Sequence, residues 1–365
     1  PASSRLSPTP SERSSERAIA PLDPIRSRYD LVIAPWRNAL VEATPRMLRW
    51  ETLTKTAFDE IDPTETVVVL TCSPIEVHGP HLPLGADAFE GEGLAERMLR
   101  FLPERHQRYT FLKLPFIYTA SDVVAQRGSL FFQPSTITTV LTDLGHTLAS
   151  QGFRNVFISS FHGGPRHFLA IERACENVNR RHGGRMVSIF SLIIRRFTEG
   201  TSNLDDVLGD LPGIHRADLE GDTHAGIIET SQLLALHGDW VDPDYKNLPR
   251  STVDTWAQNR GERQSTAGRG DPRRLLQMIR SYRFVLEYFN EATYSGAPAG
   301  ASAELGERIL DTLAERTAGA CAELLDGEIG PGECHSPLWK FRFLFLNPFA
   351  TRLMNRLLGF RNAIA

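Results

Sequence analysis

Cysteine is scarce in this 365-residue chain: Cys72, Cys175, Cys321 and Cys334 lie far apart and form no CxxC pair. That excludes a disulfide framework or a thiolate zinc knuckle and fits reduced thiols in a cytoplasmic protein. No run of about 18 apolar residues occurs, so no helix is expected to span a bilayer. The first residues lack the apolar core of a signal peptide, and a cytoplasmic location is the expectation. Positive charge is not in excess either. A formal net charge of -4 provides no basic face for nucleic acid, and no such partner is expected.

What is present is an ordinary globular balance, with 41% apolar and 23% charged residues, in a chain long enough for one large α/β domain. Residues 1–25 are rich in Ser, Pro and Arg and read as a flexible tail, because they hold too little apolar surface to offset ordering. From about residue 64 the pattern becomes strand, loop, helix, repeated. Thr66-Val67-Val68-Val69-Leu70 and Asn155-Val156-Phe157-Ile158 read as strands buried on both faces, and Arg185–Phe190 as a third. Helices are expected around 93–102, over the segment bearing Val140, Leu144 and Leu148 with Gly152 as its stop, near 167–178, and over 301–325. The fold class is therefore α/β, a mostly parallel sheet flanked by helices, in one main domain over 26–330. Residues 239–275 read as an excursion from the core. In such sheets ligands bind beyond the carboxyl ends of the strands.

Three polar segments fall in loops of that kind. Directly after the first strand, Glu76-Val77-His78-Gly79-Pro80-His81-Leu82-Pro83 runs on to Asp87, crowding carboxylates and imidazoles into a loop stiffened by proline. These donors suit zinc, manganese or iron without any soft thiolate. His162-Gly163-Gly164 follows the second strand, and its glycines let the backbone approach a ligand closely. The third segment, Asp222-Thr223-His224-Ala225-Gly226, leads to Glu229-Thr230-Ser231. Each segment alone also fits a solvated loop, a turn or a helix cap; three of them in one domain point to a metal site.

These segments resemble the creatininase family of amidohydrolases. Its EQHGPHLP-x-x-x-D signature corresponds to Glu76–Pro83 with Asp87, its HGG-N segment to His162-Gly163-Gly164-Pro165, and its HAG-x-x-ETS segment to His224–Ser231. A softer match covers Ser295–Gly306. The resemblance spans roughly residues 64–326 and keeps the order of all four.

The resemblance implies two divalent metal ions per subunit, zinc, manganese or iron. Glu76, Asp87 and His162 would hold one ion. His78, Asp87 and Glu229 would hold the other, with Asp87 bridging. It further implies hydrolysis of an amide C–N bond by a metal-activated hydroxide. His224 would carry a proton to the leaving nitrogen, Asp222 would orient His224 or contact substrate, and His81 would steady the loop. In creatininase a Glu two residues after the HGG-type His is a ligand; here that position is Gly164, and Glu229 takes the role. Pro165 replaces an Asn, Val77 replaces a polar residue, and Glu220 stands where creatininase has a substrate-stacking Trp. Creatinine is accordingly not the expected substrate. A cyclic amide, a formamide or a peptide-like amide is. The alternative is a non-catalytic metal-binding scaffold of the same fold. A homo-oligomer is implied by the resemblance alone.

The end of the chain, 331–365, is aromatic and basic, with Phe349, Leu353 and Leu357 on one helical face beside Arg352 and Arg356. A membrane-surface helix, an oligomer contact and a lid over the site all fit this segment. Packing or an interface is the preferred expectation, with membrane contact through 336–365 behind it.

Overall fold

The computed structural model describes residues 47–199, 208, 212, 214–261 and 284–358. The tail expected over 1–25 and the 262–275 part of the excursion lie outside them. Among these residues six strands form one parallel sheet: β1 (Met47–Arg49), β2 (Thr66–Ser73), β3 (Thr110–Lys113), β4 (Ile117–Tyr118), β5 (Asn155–Ser159) and β6 (Arg185–Ser188). The order across the sheet is β1-β3-β2-β5-β6, and β4 pairs with the end of β2.

Every residue of β2 is buried, and the period of two sorts its side chains between two cores. Val67 and Val69 join Phe111, Phe157 and Val187 on one face. Covering that face are α1 (Ala86–Phe101), α4 (Ile189–Glu199), α5 (Ile227–His237) and α6 (Ala303–Asp326). Val68, Leu70 and Cys72 join Leu112, Val156 and Ile158 on the other. There α2 (Pro134–Ser150) and α3 (Pro165–His182) close the layer through Ile137, Leu141, Ile171 and Val178. Each fully buried Val or Leu contributes about 1.5–3 kcal/mol, which is why the continuous apolar strands need helices on both sides.

The sequence reading differs from the structure in specific places. The third strand stops at Ser188, not Phe190, because the Ser188 hydroxyl accepts the Ser191 N–H at 3.2 Å and caps α4. The apolar run that follows is helical. α1 begins earlier than expected, at Ala86, so Asp87 sits in a helical first turn and not in the loop. A carboxylate is favoured there by the helix dipole. Gly152 does terminate α2, at φ +95°. Pro165 takes the first position of α3, where its missing N–H is not needed.

The chain moves from β2 outward to β3 on one side, then across to β5 on the other. The crevice beyond the carboxyl ends of β2 and β5 is thus the point where strand order reverses, the place where open α/β sheets bind ligands.

Past α6, α7 (Arg342–Leu346) and α8 (Pro348–Leu358) lead away from the core. The Ser336 N–H donates to Glu172 of α3 at 2.6 Å. Trp339 is sandwiched among His335, Arg173 and Arg342. One flank of the terminal segment is therefore packed. The same segment exposes Phe341, Phe343, Leu344, Phe349 and Leu353. Among the described residues no helix is long and apolar enough to cross a membrane.

Candidate metal centre

Two loops converge on the crevice. After β2 the backbone doubles back, with the Glu76 N–H on the Leu84 carbonyl at 2.8 Å and the Leu82 N–H on that of His78 at 3.3 Å. This narrow loop projects Glu76 and His78 inward, both essentially without solvent exposure. After β5, the chain delivers His162 to the same spot.

Each imidazole has one nitrogen committed and one free. His78 donates Nδ1–H to the Glu76 carbonyl at 3.0 Å, which leaves Nε2 facing Asp87 Oδ1 at 3.4 Å and Glu229 Oε2 at 3.8 Å. His162 donates Nε2–H to the Ser121 carbonyl at 3.0 Å. Its Nδ1 then faces Glu76 Oε2 at 3.0 Å and Asp87 Oδ2 at 3.4 Å. Asp87 thus turns one oxygen to each histidine. Three trios, Glu76–Asp87–His162, His78–Asp87–Glu229 and Glu76–His78–His224, each bring three ligand atoms within 4.8 Å of one another, and Asp87 belongs to the first two. Glu76 Oε2, His78 Nε2 and Asp87 Oδ2 are buried with no hydrogen-bond partner, an arrangement that folded proteins rarely tolerate without an ion or water.

The electrostatics favour a cation. Burial works against charge on His78, but Asp87, Glu229 and Glu76 outweigh it and carry the imidazole up to about 10. His162 is likewise raised well above its usual range against burial, by Glu76 and Asp87. Asp87, despite its burial, is held low by His78 and His162. Burial pushes Glu229 up to about 8, only partly relieved by His78. The carboxylates are therefore crowded, and protons on the imidazoles supply the positive charge that ions can supply instead.

His224 lies against His78, ring centroids 4.2 Å apart, and donates Nε2–H to the Val77 carbonyl at 2.8 Å. Burial and the neighbouring His78 lower it to about 4, so it stands as a neutral imidazole with its lone pair on Nδ1. Asp222 is not placed to orient it. The Asp222 carboxylate instead accepts the N–H groups of Ile227 at 2.7 Å and Ile228 at 3.2 Å, capping the start of α5. Helix N–H groups outcompete an imidazole already satisfied by Val77. His81 is buried behind the loop and pairs Nε2 with Thr230 Oγ1 at 2.8 Å, fixing the helix turn that carries Glu229.

A cavity of about 340 Å³ opens on Glu76, Asp87, His162, His224 and Glu229. Its remaining wall is largely apolar, built from Val123, Val124, Ala125, Val285, Leu286 and Phe289. Phe289 meets His224 edge-on at 5.4 Å, while Glu220 is exposed and outside the cavity. Sequence reasoning missed the 119–126 loop, which supplies the Ser121 carbonyl to His162 and the Val124 N–H to Glu76. It also missed Glu90, one helical turn beyond Asp87. Burial, with Glu229 and Asp87 nearby, raises this carboxyl well above its usual range, and neither oxygen has a hydrogen-bond partner. Backbone groups carry no side-chain signature, so only Glu90 had a legible signal, an acid on the inner stripe of α1.

Comparison with curated proteins finds no match. Among solved structures, a creatinine amidohydrolase (creatininase) superposes with a TM-score of 0.51 at 21% identity, covering 75% of this chain and 96% of its own. A putative creatinine amidohydrolase from Bacteroides fragilis reaches 0.50 at 18% identity, covering 78% and 97%. A zinc–zinc form of a creatininase mutant reaches 0.51 at 19% identity, covering 75% and 97%. At these identities the likeness concerns the fold. A family model described as "Creatininase: Creatinine amidohydrolase" matches residues 51–321, a span that contains both converging loops, α5 and most of α6. On that match, over well more than half its length, the chain belongs to the creatininase family.

Proposed function

We propose that this chain is a metal-dependent hydrolase of an amide C–N bond. Glu76, Asp87 and His162 would hold one divalent ion and His78, Asp87 and Glu229 the second, with zinc, manganese and iron all matching the donor set. The observation that carries the reading is Asp87, whose two oxygens face two histidines that each turn to it the ring nitrogen not bonded to a backbone carbonyl. Ions held there would acidify a water molecule and polarise the amide carbonyl.

The chain's own residues supply the rest. His224, neutral at working pH and at the cavity wall, takes a proton at Nδ1 and passes it to the departing nitrogen. Asp222 serves by holding the turn that presents His224 and Glu229. The apolar wall excludes water and accepts a hydrophobic substituent, which favours an uncharged amide other than creatinine. A scaffold has no need of such a cavity, so the enzyme is preferred. Four buried, unpaired cysteines support the cytoplasmic part of this reading, and we retain the homo-oligomer within it.

Elemental analysis of purified protein, beside Asp87→Ala, is the first test. About two equivalents of metal per chain, mostly lost in the variant, are expected from a bridged site. Reconstituted protein should then release amine from one of a panel of cyclic amides, formamides and apolar dipeptides, and chelator should abolish it. Failure of both proteins to take up any divalent ion would sink the reading.

A further inference from the structure

We propose that the outer face of the 337–358 segment docks the protein on an anionic lipid surface. The surface lies beyond the matched family span of 51–321 and is independent of the catalytic reading.

Eleven large apolar side chains are exposed among the described residues, and five of them, Phe341, Phe343, Leu344, Phe349 and Leu353, fall within 13 consecutive positions. Phe349 is the extreme, 78% exposed. Scattered exposed apolar residues need no explanation, but so dense a set in one short segment does. This one is held firmly. Ser336 is tied to Glu172, and Trp339 is gripped by Arg173 and Arg342, while Thr351 is buried on the inner side of α8. The segment that carries the apolar side chains is thus anchored to the core.

Charge selects the occupant. On α8, Phe349 and Leu353 are one turn apart, and Arg352 and Arg356 lie at three-residue offsets from them, all on the exposed stripe. No acidic residue follows Glu333. Residues 334–365 carry one Lys and four Arg, a formal charge of +5, against -4 for the whole chain, so the other 333 residues carry -9. An anionic surface repels most of the molecule and attracts this segment, which orients the approach. Aromatic and leucine side chains flanked by arginines match helices that lie in the headgroup region. A second copy of the chain fits less well. A two-fold contact through this patch brings one copy's cations up to the other's, with no acid in the segment to offset them.

The test is cosedimentation of the full chain with equimolar phosphatidylglycerol–phosphatidylcholine vesicles and with phosphatidylcholine alone. The chain should pellet with the first and not the second, and high salt should release it. Phe349→Glu combined with Leu353→Glu should weaken binding about tenfold or more, and Arg352→Glu with Arg356→Glu should do likewise. All four sites are exposed, and an unchanged unfolding midpoint verifies the fold. Absence of pelleting on anionic vesicles, or equal pelleting of the parent and both variants, overturns the proposal. A fall in assembly mass for Phe349→Glu/Leu353→Glu in lipid-free sedimentation equilibrium, without any vesicle binding by the parent, assigns the face to a second copy and also overturns it.

Discussion

The Nε2–H of His162 donates to the carbonyl of Ser121 at 3.0 Å, and that bond decides which nitrogen of the ring faces Glu76 and Asp87. Ser121 is held in turn by its neighbour. Asp122 sits at φ +65°, a left-handed backbone rare for a residue with a side chain. Its carboxylate grips the Arg166 backbone N–H at 2.6 Å and the Arg166 guanidinium. Asp122→Asn tolerates the same backbone but loses the ionic grip. It should fold normally and bind metal roughly 10–100-fold more weakly, as outer groups around metal ligands do. Titration with a competing chelator reads the loss, and unaltered affinity would remove Asp122 from this role.

The two glycines after His162 should behave oppositely on substitution. A Cβ on Gly163 meets nothing within 4 Å, whereas on Gly164 it would lie 2.5 Å from His162 Nε2 and 2.9 Å from the Ser121 carbonyl. Gly163→Ala should leave metal binding within about a factor of two, since surface changes away from packed features cost little. Gly164→Ala should break the His162–Ser121 bond and abolish tight binding at the Glu76–Asp87–His162 trio. Comparable affinities for the two variants would contradict the geometry.

Metal affinity should rise with pH through the neutral range. His78 at about 10 and Glu229 at about 8 both hold protons at pH 7, and His162 is also raised. Ligation requires neutral imidazole and ionised carboxylate, so each ion displaces protons, and lowering the pH strengthens their competition. Calorimetric titration in buffers of different ionisation enthalpy should report net proton release. A proton-neutral binding event would show that these groups are not the ligands.

His224→Gln preserves a side chain of similar reach without the titrating nitrogen. Metal content should be unchanged, while kcat falls by roughly 10²–10⁴ on whichever amide the reconstituted protein cleaves. Because burial and His78 hold His224 near 4, the parent enzyme should lose activity as pH falls toward that value. A variant with full kcat would transfer the proton-handling role elsewhere.

Much of this was local and therefore legible. β2 and β5 announce themselves as continuous β-branched and apolar runs because both faces are buried, and the acids and histidines beyond them lie within a few residues of the strand ends. The sequence by itself determined the layered α/β plan, the donor chemistry and the order of the candidate metal-binding segments. It could not decide the partner of Asp222, because the competing helix N–H groups and the Val77 carbonyl that satisfies His224 meet only in three dimensions. Nor could it show that the Ser121 carbonyl, the Val124 N–H and Phe289 complete the site. These come from segments 38 to 213 residues away from Glu76 or His162 along the chain, two of them through backbone groups that every residue possesses. Which of many identical carbonyls orients an imidazole is a matter of packing distance, and packing is what the tertiary structure alone decides.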